Sequence, residues 1–86
     1  MLPVNLIRLP EVLRRRGISR SVHFRTIDAG LWPEPVRISV RSVAWPDNEV
    51  NTLISAQIAG MSQADMRALV RELIAARSRH APLLAA

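Results

Sequence analysis

The sequence predicts one small, mainly α-helical domain with a single β-hairpin. Three observations lead there: a length of 86 residues, glycines at 17, 30 and 60 that interrupt helical apolar spacing, and a proline-bracketed stretch that alternates apolar and polar residues. A chain of this size has room for one core and buries roughly 60% of its unfolded surface. Large enzyme architectures are thereby excluded.

Leu6-Ile7-Arg8-Leu9 is a short apolar lead-in. Pro10 suits a first helical position and Glu11 sits where the helix dipole favours a carboxylate, so a helix is expected to about Arg16. Gly17 stops it, and Ser19 is a good N-cap for a second helix running to Ala29 and ended by Gly30. Two such helices joined by a short glycine-containing turn match the helix-turn-helix pattern. Pro33 and Pro35 exclude helix from the next stretch. Val36-Arg37-Ile38 and Val43-Ala44-Trp45 then read as the strands of a hairpin, with Ser39 to Ser42 as its turn. Pro46 opens a third helix, carrying Asp47 and Glu49 early and Val50, Leu53, Ile54 and Ile58 at helical spacing. Ser62 and Asp65 form a capping-box-like start to a last helix with a stripe of Met66, Leu69, Val70, Leu73 and Ile74. This order is that of a winged helix-turn-helix, expected over residues 6–59, with the amphipathic C-terminal helix at 61–78 and a tail at 79–86.

All twelve basic residues are arginine, and eight of them fall in residues 1–45 against three acids, whereas residues 46–86 carry four of each. The net charge of +5 therefore belongs to the first half, where it would attract a polyanion. The absence of cysteine excludes disulfides, thiolate metal sites and a cysteine nucleophile. The early arginines interrupt any signal-peptide pattern, and the longest uncharged run, residues 50–64, is too polar and too short for a membrane span. A cytoplasmic, nucleoid-associated protein of bacterial or phage origin is expected. His23 and His80 have no metal-spaced partners, the carboxylates are scattered singly, and no phosphate-cradling glycine loop is present. Neither catalysis nor a cofactor is expected, His23 is read as a core or domain-interface residue, and His80 as a tail residue.

The runs Arg8-Leu9-Pro10-Glu11-Val12-Leu13, Gly17-Ile18-Ser19-Arg20-Ser21, Pro33 to Ile38, Arg41-Ser42-Val43-Ala44-Trp45 and Glu49-Val50 resemble, in one register from Leu6 to Ile54, the AlpA family of prophage and phage-island regulators. The resemblance implies an excisionase-like, MerR-related winged helix that binds double-stranded DNA. Where that family often carries Thr-Ile-Tyr-Arg, this chain has Val22-His23-Phe24-Arg25, and Leu53-Ile54 stands where Trp-Leu is frequent.

On a helical wheel Arg20, Ser21, Phe24, Arg25 and Asp28 share one arc, opposite Ile18, Val22, His23, Thr26 and Ile27. The first set is the expected reading head, because arginine can pair with guanine in the major groove and serine can reach base or phosphate. Ser19 stands beside it as cap and contact. Phe24 can meet a thymine methyl or pack on the hairpin, and Asp28 is read mainly as a cap or a partner for Arg25. Arg37 and Arg41 place charge on the hairpin, and Arg14, Arg15 and Arg16 can serve the helix dipole and phosphate alike. Trp32 and Trp45 are read as core rather than as stacking platforms. The stripe on the last helix can fold back or pair with a second copy, and a homodimer through that stripe is the expectation. The function expected is sequence-specific transcriptional regulation of prophage or mobile-element genes. An architectural role in excision or DNA packaging and a protein-interaction adaptor are the alternatives.

Overall fold

The computed structural model describes residues 4–80. Its elements in chain order are β1 (Leu6–Arg8), α1 (Leu9–Arg16), α2 (Arg20–Asp28), β2 (Val36–Ser39), β3 (Ser42–Pro46), α3 (Asp47–Ile58) and α4 (Gln63–Ala76), closed by a short 3-10 turn at Arg77–His80. Most of the expected tail, residues 81–86, lies outside the described residues.

The helix boundaries follow from local chemistry. In α1, Pro10 lies in the first turn and Gly17 adopts a left-handed φ of 68°, its amide donating to the Leu13 carbonyl at 2.8 Å. An L residue there would be strained, so Gly17 is what lets the chain turn tightly into α2. Ser19 Oγ accepts the Val22 amide at 3.3 Å and caps α2. At the other end Gly30, with φ of 75°, donates to the Ile27 carbonyl while Leu31 donates to that of Thr26, a Schellman closure. Ser62 caps α4 by accepting the Asp65 amide at 3.1 Å.

The expected two-stranded hairpin is a three-stranded antiparallel sheet in the order β1-β3-β2. Leu6-Ile7-Arg8, read as a lead-in, forms β1 and pairs Ile7 with Trp45. A central strand has two edges to satisfy, and a three-residue segment is enough to cover one of them. Asn5 and Asp47 reinforce this edge, the Asn5 amide donating to Asp47 Oδ1 and the Asp47 amide to the Asn5 carbonyl at 2.8 Å. The β2–β3 hairpin, the wing, turns through Val40 and Arg41 and is irregular between Arg37 and Ser39.

The core gathers Ile7, Val12, Trp32, Trp45, Val50, Leu53, Ala56, Met66 and Val70. Both tryptophans are fully buried, and the Trp45 indole donates to the Pro33 carbonyl at 2.8 Å. The stripe of Met66, Leu69, Val70, Leu73 and Ile74, expected either to fold back or to pair with a second copy, lies against the chain's own core. Met66 and Val70 are core residues, and Leu69, Leu73 and Ile74 pack half-buried against them. The inner part of the stripe covers the core, as an amphipathic helix does by default, while Leu69, Leu73 and Ile74 keep part of their surface in solvent. Ile58, which shares the helical spacing of Val50, Leu53 and Ile54, is 83% exposed at the end of α3.

Candidate nucleic-acid interface

α2 has nine residues, too few to hold a helical shape alone, so its geometry is imposed by its caps and by what lies beneath it. Beneath it lies His23, fully buried, its ring edge-on to Phe24, Trp32 and Trp45 at centroid distances of 5.2, 6.0 and 4.9 Å. Arg16, from the end of α1, lays its guanidinium 3.8 Å from the Trp32 ring centroid and donates to His23 Nδ1 at 2.8 Å and to Thr26 Oγ1 at 3.1 Å. The Thr26 hydroxyl in turn donates to the His23 carbonyl. This bridge spans the tight turn and sets α2 against α1.

The bridge also determines protonation. Arg16 donates to Nδ1, so that nitrogen is an acceptor and the ring is neutral with its proton on Nε2. Burial, aided by the neighbouring Arg16 charge, pushes His23 down to about 4. Burial also lowers Arg16 to about 10. Arg16, expected to serve phosphate, is half-buried here with its guanidinium directed inward. The signal was in the spacing: Arg16 follows Val12 by four residues and shares its face of α1.

Its two neighbours face outward but are shared with Glu11. Arg14 Nε donates to Glu11 Oε1 at 2.6 Å and Arg15 Nε to Oε2 at 3.0 Å, and these hydrogen bonds hold the exposed Glu11 carboxyl down at about 2.

On the outer side of α2, Ser19, Arg20, Ser21, Phe24, Arg25 and Asp28 are all exposed. Among the described residues neither Arg20 nor Arg25 enters an ion pair, and Asp28 does not pair with Arg25 as expected. The Arg20 guanidinium stands 5.6 Å from the Phe24 ring centroid. Phe24 thus leans on His23 with one edge and stays 36% exposed. Val22, expected to point inward, is 38% exposed. The inward stripe of α2 is narrow, running through His23, Thr26 and Ile27. Val22 therefore adds an apolar group to the outward surface.

On the wing, Arg37 and Arg41 are exposed. Arg37 NH1 donates to the Val40 carbonyl at 3.0 Å, which braces the turn while leaving the cation in solvent. Among the described residues no three His, Cys, Asp or Glu side chains gather to hold a metal ion, and no helix is long and apolar enough to cross a membrane.

A sheet-backed helix pair with a basic wing agrees with the resemblance in the sequence, and comparison with known proteins decides it. The family profile described as Prophage CP4-57 regulatory protein (AlpA) matches residues 5–58, more than half of the chain. The chain belongs to the AlpA family. The AlpA match runs from just before β1 to the end of α3 and so takes in α2 and the wing, but not α4. An uncharacterized protein, ORF88 of Enterobacteria phage P4, is 37% identical over 54 residues, which is 63% of this chain and 61% of that protein. The chain thus covers about three-fifths of that relative's length. No solved structure matches.

Proposed function

We propose that this AlpA-family chain is a sequence-specific DNA-binding regulator of prophage or mobile-element genes, acting in the cytoplasm, with α2 reading the major groove and the wing gripping the backbone. The observation that carries this reading is the state of Arg20 and Arg25. They are exposed cations on a capped, rigidly backed helix and have no ion-pair partner among the described residues, whereas Arg14 and Arg15 share Glu11 and Arg16 is half-buried against Trp32. Arginines so presented suit bidentate pairing with guanine, and Val22 and Phe24 beside them suit a thymine methyl. Arg37 and Arg41 suit phosphates, which position a protein without reading sequence. One module of this size makes few base contacts, so two copies on neighbouring sites remain part of the proposal.

Fluorescence anisotropy tests the division of roles, using a duplex selected by the wild-type chain from a random library. Arg20→Ala is expected to cost about 1 to 3 kcal/mol on the selected duplex, and Arg37→Ala to weaken all duplexes and reduce the salt slope by about one. Equal, sequence-blind losses from both changes would defeat the assignment. Weak binding with little salt dependence on random duplex would favour a protein adaptor instead.

A further inference from the structure

The family match stops at residue 58, yet the part of the chain beyond it holds both α2 and the approach to the wing. From α4, Arg67 Nε donates to the Ala29 carbonyl at 2.9 Å, and Ala29 is the C-cap of α2. The aliphatic stem of Arg67 lies against Gly30, at ordinary van der Waals distance from where a Cβ would stand. From the 3-10 turn, Arg77 donates to both oxygens of Glu49 at 2.7 and 2.9 Å and to the Glu34 carbonyl at 2.8 Å, two residues before β2 begins. Glu49 is 3% exposed, so this pair is fixed in the interior at the base of the wing.

The seam between α2 and α4 is not tightly packed. A crevice of about 280 Å³ runs along it, walled by Ile27, Gly30, Trp32, Val70 and Ile74 with Arg67 at its edge. Apolar contact therefore leaves the back end of α2 partly unsupported, and the Arg67 hydrogen bond spans the gap. A cation there also meets the negative end of the helix dipole. The front end of α2 is already held by the Ser19 cap and the Arg16–His23 bridge.

We propose that Arg67 is a positioning residue for DNA reading, and that α4 thereby sets the sequence discrimination of a domain whose DNA-facing side it does not join. The proposal rests on the DNA-binding reading above. A helix tilted by loss of its rear support misplaces base-reading groups, which need close geometry, more than phosphate contacts, which tolerate shifts.

The test compares the full-length wild-type chain with Arg67→Ala, Arg67→Lys and Arg71→Ala. Arg71 borders the same crevice and makes no side-chain hydrogen bond among the described residues, so it controls for loss of a nearby charge. Binding is measured to the selected duplex and to random duplex across a salt series, and amide hydrogen exchange is followed in the free proteins. Arg67→Ala is expected to lose about 3- to 30-fold on the selected duplex, with random-duplex affinity and salt slope unchanged. Exchange at Gly30 and Leu31 should quicken, Arg67→Lys should recover part of the discrimination, and Arg71→Ala should bind like the wild type. Parallel losses on both duplexes with a shallower slope would make Arg67 a phosphate contact and overturn the proposal, as would unchanged discrimination or unchanged exchange. A wild-type chain that cannot tell selected from random duplex sinks the DNA-reading assignment and this role together, whereas a discriminating wild type matched by Arg67→Ala sinks this role alone.

Discussion

His23 links packing to solution conditions. Its folded-state pKa of about 4 lies below the ordinary histidine value of 6.5, so between those pH values the unfolded chain takes up a proton that the folded chain refuses. Its contribution is complete above pH 6.5 and is lost as pH falls toward 4. The loss is about 2 to 3 kcal/mol. Urea midpoints of wild type and His23→Phe at pH 7 and pH 4.5 check this, and the variant should show the smaller acid decline. Glu11 does not confuse the comparison, because its lowered carboxyl pKa places its own loss between pH 4.5 and about 2. The protonated ring would also direct a second N–H at Arg16, so acid should loosen the α1–α2 angle before it unfolds the sheet.

Single elements show how far a capped nine-residue helix depends on its ends. Ser19 Oγ is engaged by the Val22 amide, and Ser19→Ala should cost about 1 kcal/mol, lowering the melting temperature by roughly 4 to 8 °C. Ser19→Asp caps equally well and should keep the melting temperature while weakening DNA binding, because it adds a negative charge where phosphate is expected. Thermal melts and anisotropy on the same two variants separate cap from contact. The helices were legible because each carries its own punctuation: Pro10 and Gly17, Ser19 and Gly30, Ser62 and Asp65. β1 was not, since three residues give too little alternation to read and its existence depends on Trp45, far along the chain. Arg16 was grouped with Arg14 and Arg15 by charge, although its four-residue spacing from Val12 marked it as inward. The α4 stripe has the same periodicity whether it covers its own core or a partner's, so sequence alone left that choice open. The outward set on α2 was legible except for Val22, whose exposure depends on which neighbours reach the helix's first turn.

Across the whole molecule, the Arg77–Glu49 pair ties the last described turn to the start of α3 and, through the Glu34 carbonyl, to the approach to the wing. Arg77→Met strands a carboxylate that is 3% exposed, and about 3 to 5 kcal/mol of destabilisation is expected. A domain of this size holds only about 5 to 10 kcal/mol in total, so the variant should be partly unfolded at 37 °C. Glu49→Leu combined with Arg77→Met removes the orphan charge and should recover most of the loss, as circular dichroism melts would show.

The pairing of Ile7 with Trp45 has a consequence for biosynthesis. The first strand leaves the ribosome long before the strand it must meet, and Val70, which belongs to the same core as the two indoles, follows later still. The second helix, though synthesised well before α4, stays without its full backing until Val70 has followed. Fragments that end before α4 should therefore lack a fixed α2 and be open to proteolysis there.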